Sequence, residues 1–463
     1  VYSLAFIRYH LWGQLFDEGM TMNSKERLQA TLNHQAPDKV VVDFGSTHVT
    51  GIAASAVSRL WRELVESRGE RQRPGTGPAS SIRDPQPAIR NSSYRVKVHE
   101  PYQMLGQIDP DLRAALGVDV VGVMLNRTMF GFENADWKPF TLFDGTEALV
   151  PGQFNVTREP NGDLLMYPEG DTTVPPSGRM PRGGYYFDSI PRQGPIYESK
   201  LDPADNLVEF GPLAQADVDA LAAQARAASE AGTGAIISTP GTGFGDIALV
   251  PAMWLKHTPG IREVEEWYVS TAARRDYVYE VFDRQCEIAL KNLARLAAAV
   301  GDNVQAAFVT GTDFGTQKGL FISPAAYRDL YKPFHKKIND FIHAHTKWKT
   351  FIHSCGSVVE LLPDLIEAGF DILNPVQCSA SGMDARTLKR EFGRQLVFWG
   401  GGVDTQRTLP FGTPDEVYRQ VRERIEIFND GGGFVFNAIH NIQANVPTPN
   451  VLAVLKAIRE SGA

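Results

Sequence analysis

From residue 214 onward the chain repeats one rhythm, a helical apolar pattern followed by a short strand too apolar to have a wetted face. The strands predicted there are 235–238, 305–310, 349–353, 371–375, 396–400 and 433–437, and the helices between and after them are 214–231, 254–300, 324–345, 357–368, 385–392, 414–429 and 450–459. Two earlier Val-rich segments, 40–44 and 118–123, bring the strands to eight, which is what a closed parallel barrel needs. An open doubly wound sheet alternates in the same way. It is disfavoured because Gly241-Thr242-Gly243-Phe244-Gly245-Asp246 follows a strand without the glycine spacing of a dinucleotide turn. The expected fold class is therefore α/β, a (β/α)8 TIM barrel.

The 463 residues exceed a minimal barrel of about 250 residues. The excess is located by the loss of period over about 126–210, where glycine, proline and aromatic residues accompany short alternating segments. That stretch reads as hairpins capping the barrel mouth within one domain spanning 22–463; a separately folding unit is the alternative. A polar stretch rich in proline and serine, 68–93, reads as a loop. Residues 1–21 are read as a leader or translation artefact: charges interrupt the apolar run, and Met22 directly precedes a helix start.

A formal net charge of −8 speaks against a phosphate-backbone partner. The three cysteines, Cys286, Cys355 and Cys378, are too few and scattered for a disulfide framework. A reducing cytoplasm fits that usage. No apolar run approaches the roughly 18 residues of a membrane span.

Barrel chemistry sits at the C-terminal ends of the strands. Those ends present 43–48, Asp313, His353 with Cys355, 375–378, Asp404 and 437–440. In Phe351-Ile352-His353-Ser354-Cys355-Gly356, two residues of the same strand parity offer an imidazole and a thiol to one side, and both bind zinc. A satisfied core pair is the other reading of those two residues. His440, past the last strand, supplies a third donor; three protein ligands with an open position describe a catalytic metal. Cys378 is either a substitute ligand or a small buried residue. Asp313 is assigned to substrate hydrogen bonding or proton transfer, or else it caps its own loop. Gln317 is placed at the pocket edge as its helper. His48 and Asp404 are candidate substrate contacts or turn residues. Tyr186, with Tyr185 and Phe187, either roofs a substrate or packs within the cap.

A resemblance joins these pieces. Residues 312–324, Thr-Asp-Phe-Gly-Thr-Gln-Lys-Gly-Leu-Phe-Ile-Ser-Pro, followed by Tyr331-Lys332-Pro333, resemble the Asp-x-Gly-(Thr)-Gln, Ser-Pro and Lys-Pro signature of the uroporphyrinogen decarboxylase-like superfamily. His353-Ser354-Cys355-Gly356 is similar to the zinc motif of its cobalamin-dependent methyltransferases, the corrinoid methyltransferase and O-demethylase branch. Residues 400–404 with 412–417 resemble the penultimate unit, and 446–450 loosely resembles the terminal Thr-Pro-x-Glu-Asn. The likeness covers about 22–460 and is weakest through the insertion.

Two departures sharpen what the resemblance implies. The decarboxylases carry an arginine-rich Met-Arg-Gln-Ala-Gly-Arg segment after the first strand, which binds porphyrinogen carboxylates; here 43–51 reads Asp-Phe-Gly-Ser-Thr-His-Val-Thr-Gly. Where thiol-alkylating relatives place a second cysteine, this chain has His440. A neutral imidazole in place of a thiolate makes a zinc more Lewis acidic. The implied activity is a zinc-dependent methyltransferase moving a methyl group between a small methylated substrate, or a thiol, and a corrinoid (cobalamin) on a separate protein. Its rivals are uroporphyrinogen decarboxylation and a non-catalytic corrinoid-binding barrel.

Overall fold

The eight apolar segments pair as one continuous parallel sheet: β1 Val41–Val42, β2 Val120–Val123, β3 Gly234–Ser238, β4 Ala306–Thr310, β5 Lys349–His353, β6 Ile372–Asn374, β7 Val397–Trp399 and β8 Phe434–Phe436. Their order is β1-β8-β7-β6-β5-β4-β3-β2, so β2 to β8 are successive neighbours and β8 returns to β1. The computed structural model describes residues 21–67 and 94–462. The loop expected over 68–93, and the leader apart from Thr21, lie outside the described residues.

Each strand is apolar on both faces because each face meets something dry. Val41, Val120, Ile236, Ala306, Phe351, Ile372, Val397 and Val435, one from every strand, form a single interior cluster with Trp399. Leu28 and Leu32 of the helix Ser24–Leu32 join it and plug one end of the barrel. That helix starts where Asn23 and Glu26 form a reciprocal capping box, which satisfies two otherwise orphaned N–H groups. The opposite faces, among them Val42, Ile237, Ala307, Ile352, Leu373 and Phe398, pack in the outer core beneath the helices. Each such burial of a Val, Ile or Phe contributes about 1.5–3 kcal/mol, so the interior ring is a large part of what holds the barrel together.

Between β1 and β2 the closure is made partly by a side chain. Asp119 N donates to Val42 O at 2.8 Å, and Val42 N donates to Asp119 Oδ2 at 3.0 Å. The other carboxylate oxygen accepts from Arg27 Nη1 at 2.6 Å and Ser24 Oγ at 2.7 Å. The plug helix and the seam are thus one buried ionic joint.

The cap consists of two four-stranded sheets. One unites Val96–Glu100 and Leu105–Gly106 with Lys138–Thr141 and Glu147–Val150; the other runs through Val156–Arg158, Leu164–Met166, Gly178–Met180 and Asp188–Ser189. The first sheet therefore takes chain from before β2 as well as from the aperiodic stretch after it. Phe130, Phe154 and Phe187 meet edge to face at 5.7 and 6.2 Å and form its aromatic centre, continuous with the outer core of the barrel. No helix of the described residues is long and apolar enough to cross a membrane.

His335 is fully buried among Phe244, Phe314 and Phe370, with Tyr327 Oη 3.1 Å from Nδ1. Burial pushes its imidazole down to about 3. Below pH about 6.5 the unfolded chain takes a proton that the fold refuses, so this contribution to stability is present above 6.5 and is lost as pH falls toward 3. Between pH 7 and 5 the loss from this residue is about 2 kcal/mol. Urea midpoints at the two pH values should therefore fall further for the native chain than for His335→Gln; equal falls would refute the assignment.

Candidate metal centre

Three donors meet at the mouth. His353 closes β5, Cys355 follows two residues later and His440 lies past β8; one ligand atom from each falls within 4.8 Å of the others. Cys355 Sγ stands 3.4 Å from His353 Nε2. Tetrahedral zinc, with bonds of roughly 2.0–2.3 Å, places its ligand atoms about 3.5 Å apart, so this edge already has the spacing of a metal site. The rings of His353 and His440 meet at 74° with centroids 5.5 Å apart.

The tautomer of His353 follows from its surroundings. Asn374 Nδ2, at the end of β6, donates to Trp399 O at 2.8 Å, which turns the amide oxygen toward His353. That oxygen lies 2.6 Å from His353 Nδ1, so the nitrogen carrying the proton is Nδ1, and Nε2 keeps a lone pair facing Cys355. Removing the relay with Asn374→Ala should weaken zinc affinity by about 10–100-fold, measured by competition with a chromophoric chelator; unchanged affinity would show that the relay does not matter. His440 is held differently, because the Asn441 amide donates to its Nδ1 at 2.8 Å. In the neutral, metal-free ring that bond puts the proton on Nε2. A cation therefore takes Nδ1 in place of the Asn441 amide, or Nε2 in place of its proton.

The thiol sits in a turn stapled to the one before it. Cys355 N donates to Asp313 Oδ1 at 2.6 Å, Phe314 N to Ser354 Oγ at 2.9 Å and Ser357 N to Thr316 O at 2.7 Å. Gly356 completes the turn with φ +89°, and a Cβ there would lie 2.5 Å from the backbone of Gly315. Only glycine fits that approach. Gly356 N is in turn fixed by Gln377 Oε1 at 2.8 Å.

Burial and the neighbouring Asp313 push the Cys355 thiol well above its ordinary range, and burial also raises the Asp313 carboxyl. Burial pushes His353 and His440 each down to about 4. The groups acting on Asp313 and Cys355 are one another and His440; no lysine or arginine is among them. One thiolate, one carboxylate and two neutral imidazoles would balance a divalent ion, so the donor set fits zinc in both charge and softness.

The remaining sequence candidates are distributed around this cluster. Asp313 is part of it. His48 is joined to it through Asn441, whose Nδ2 donates to His48 O at 2.9 Å, and burial lowers the His48 imidazole. Gln317 is exposed and bonds through its backbone carbonyl to Ser381 N. Asp404 accepts from Gln406 N within its own turn. Tyr186 lies on the outside of the cap, 46% exposed, beside the buried Phe187. Cys378 is half-buried against the outer core and outside the cluster. Sequence reasoning did not single out Asn374, Gln377 or Asp246. Asp246, after β3, is pushed up to about 6 by burial and then by the charge of Asp313. Their only signal was position, since each lies at or beyond the C-terminal end of a barrel strand.

Residues 269–461 match the family model described as uroporphyrinogen decarboxylase (URO-D). All three donors and Asp313 lie within the matched residues. Among solved structures the chain is similar to a methyltransferase from Methanosarcina mazei, at 15% identity and a TM-score of 0.49, with 96% of this chain and 100% of that chain covered. None of the curated proteins compared matches it.

Proposed function

We propose that this chain is a zinc-dependent methyltransferase moving a methyl group between a small methylated substrate, or a thiol, and a corrinoid carried by a separate protein. The observation supporting it is the convergence of His353, Cys355 and His440 at the mouth of a URO-D-like barrel. Zinc bound by these three would supply Lewis acidity at its open position, polarising the oxygen, nitrogen or sulfur that carries the methyl group.

The protein's own groups hold the geometry. Asn374 fixes the His353 ring, Asp313 fixes the Cys355 amide, and the stapled turns keep carboxylate and thiol beside each other. Asp313 is the group in reach of the cluster that can accept a hydrogen bond from substrate or exchange a proton with it. His48, at the entrance beside Asn441, contacts substrate in this reading, with Gln317, Asp404 and Tyr186 assigned to its edges. With His440 instead of a second thiolate, the donor set carries less negative charge, which favours polarising a methyl donor over activating a bound thiol. O-demethylation is the favoured direction.

The test is direct. The purified protein with reduced Co(I) corrinoid and a panel of methoxylated compounds should show the spectral change to methylcobalt with at least one donor, dependent on metal. A second reading, decarboxylation of uroporphyrinogen, is favoured by the family match itself. Against it, the loop 43–51 contains no arginine, and Asp43 is buried, bonding Ser46 and Trp399. Chromatography after incubation with uroporphyrinogen separates the two. Corrinoid binding without transfer to any donor would point to a non-catalytic barrel.

A further inference from the structure

Where β1 and β2 part above the Asp119 seam, the barrel wall opens into a cleft of about 570 Å³. It is lined by Phe44 and Gly45, by Val120, Val121 and Gly122 of β2, by Lys97, His99 and Gly106 of the first cap sheet, and by Arg113 of the helix Pro110–Leu116. No aspartate or glutamate lines it among the described residues, although acids outnumber bases in the chain, 54 to 46. Lysine and arginine are present instead.

Lys97 and Arg113 both line the cleft, both are half-buried, and neither belongs to an ion pair among the described residues. A half-buried lysine or arginine without a counter-ion keeps its charge available to a bound anion. Lys97 is already positioned, its Nζ 5.0 Å from the centroid of the Trp137 ring, which also lines the cleft. Asn134, a third wall residue, has a buried Oδ1 with no hydrogen-bond partner among the described residues. Around these groups the lining is mixed, with Ile108, Val118 and Leu125 beside the polar His99, Gln107, Asn126 and Gln224. The cleft thus combines two positive charges without an ion-pair partner among the described residues, an aromatic ring and aliphatic side chains, while the Asn134 oxygen is left to accept from a donor on the bound molecule.

We propose that this cleft binds a small organic anion, with its carboxylate or phosphate held between Lys97 and Arg113 and its apolar body against Trp137 and the aliphatic side chains. An arginine fork and a lysine point charge are the pair that recognises such oxyanions. Trp137, Ile108, Val118 and Leu125 offer an organic anion apolar contacts that an inorganic one cannot use. The site does not depend on metal or on methyl transfer. The loop 43–51 touches both places, since its Gly45 lines the cleft and its His48 carbonyl accepts from Asn441, next to His440.

The experiment is calorimetric titration of the full-length chain, as purified and again after metal chelation, with benzoate, phenyl phosphate, inorganic phosphate and neutral benzamide at fixed ionic strength. Benzoate or phenyl phosphate should bind at least about tenfold more tightly than benzamide, with or without metal, and whichever binds better identifies the oxyanion. Lys97→Met with Arg113→Gln should weaken that binding by about tenfold or more, while Lys97→Arg keeps it within about threefold. Unfolding midpoints of the variants confirm that they fold. The proposal is overturned by benzamide binding as well as benzoate, by inorganic phosphate alone binding, by no binding at all, or by binding that the double variant retains. Each of these results leaves the zinc assignment where it stands.

Discussion

Alanine in place of His353 or Cys355 should take the purified protein from about one zinc per chain to a small fraction of that. The expected size follows from dividing the roughly 10–16 kcal/mol of a four-ligand zinc site among its ligands, which gives about 3 kcal/mol each. That is about two orders of magnitude in affinity. Cys355→Ala should be the most severe, since it removes the one thiolate and leaves only neutral imidazoles and Asp313 around the ion. His440→Ala should cost less than either, because the Asn441 amide already engages its Nδ1. Inductively coupled plasma mass spectrometry on protein prepared without added metal measures all three. Full metal content in His353→Ala would remove the ligand set, and the methyl-transfer reading with it.

The second large effect concerns the seam. Arg27→Ala should lower stability by about 3–5 kcal/mol, because Asp119 would be left as a buried carboxylate whose only remaining partners are neutral. Asp119→Ala should be milder for the arginine, which keeps Asp38 at 2.6 Å, yet it also strips Val42 N of its acceptor. The control is Lys347→Ala. Its pair with Asp302 leaves both side chains mostly exposed, at 77% and 63%, so it should move the urea midpoint by no more than about 1 kcal/mol. If Arg27→Ala behaved like that control, the barrel would be closed by its apolar interior alone.

Much of the barrel could be read from the chain because parallel strands buried on both faces write themselves as uninterrupted apolar runs. Val397, Phe398 and Trp399 are an example, with Val397 and Trp399 facing inward and Phe398 outward. The cap was harder. Val96–Glu100 alternates buried and half-buried positions as a strand with one wetted face should, but of its two partners only Leu105–Gly106 is near in sequence; the other, Glu147–Val150, lies beyond β2, and pairing across such a distance leaves no local trace. At the site, His353 and Cys355 were legible because strand parity places them together. His440 was legible from strand-end position and from resemblance. Asn374 was not, because what makes it matter is a carbonyl on β7 that no side-chain pattern reports. Lys97 and Arg113 were equally silent, since a charge without a counterion looks in sequence like any solvated charge.

The bonds tying the turn after β4 to the turn after β5 limit how this mouth can deform. With Asp313 gripping the Cys355 amide and Thr316 gripping Ser357, acid and sulfur travel as one rigid block. Admission and release of a guest must then be accommodated on the far rim, where β1 and β2 separate and the cap begins. That side should be the first to exchange its amide hydrogens.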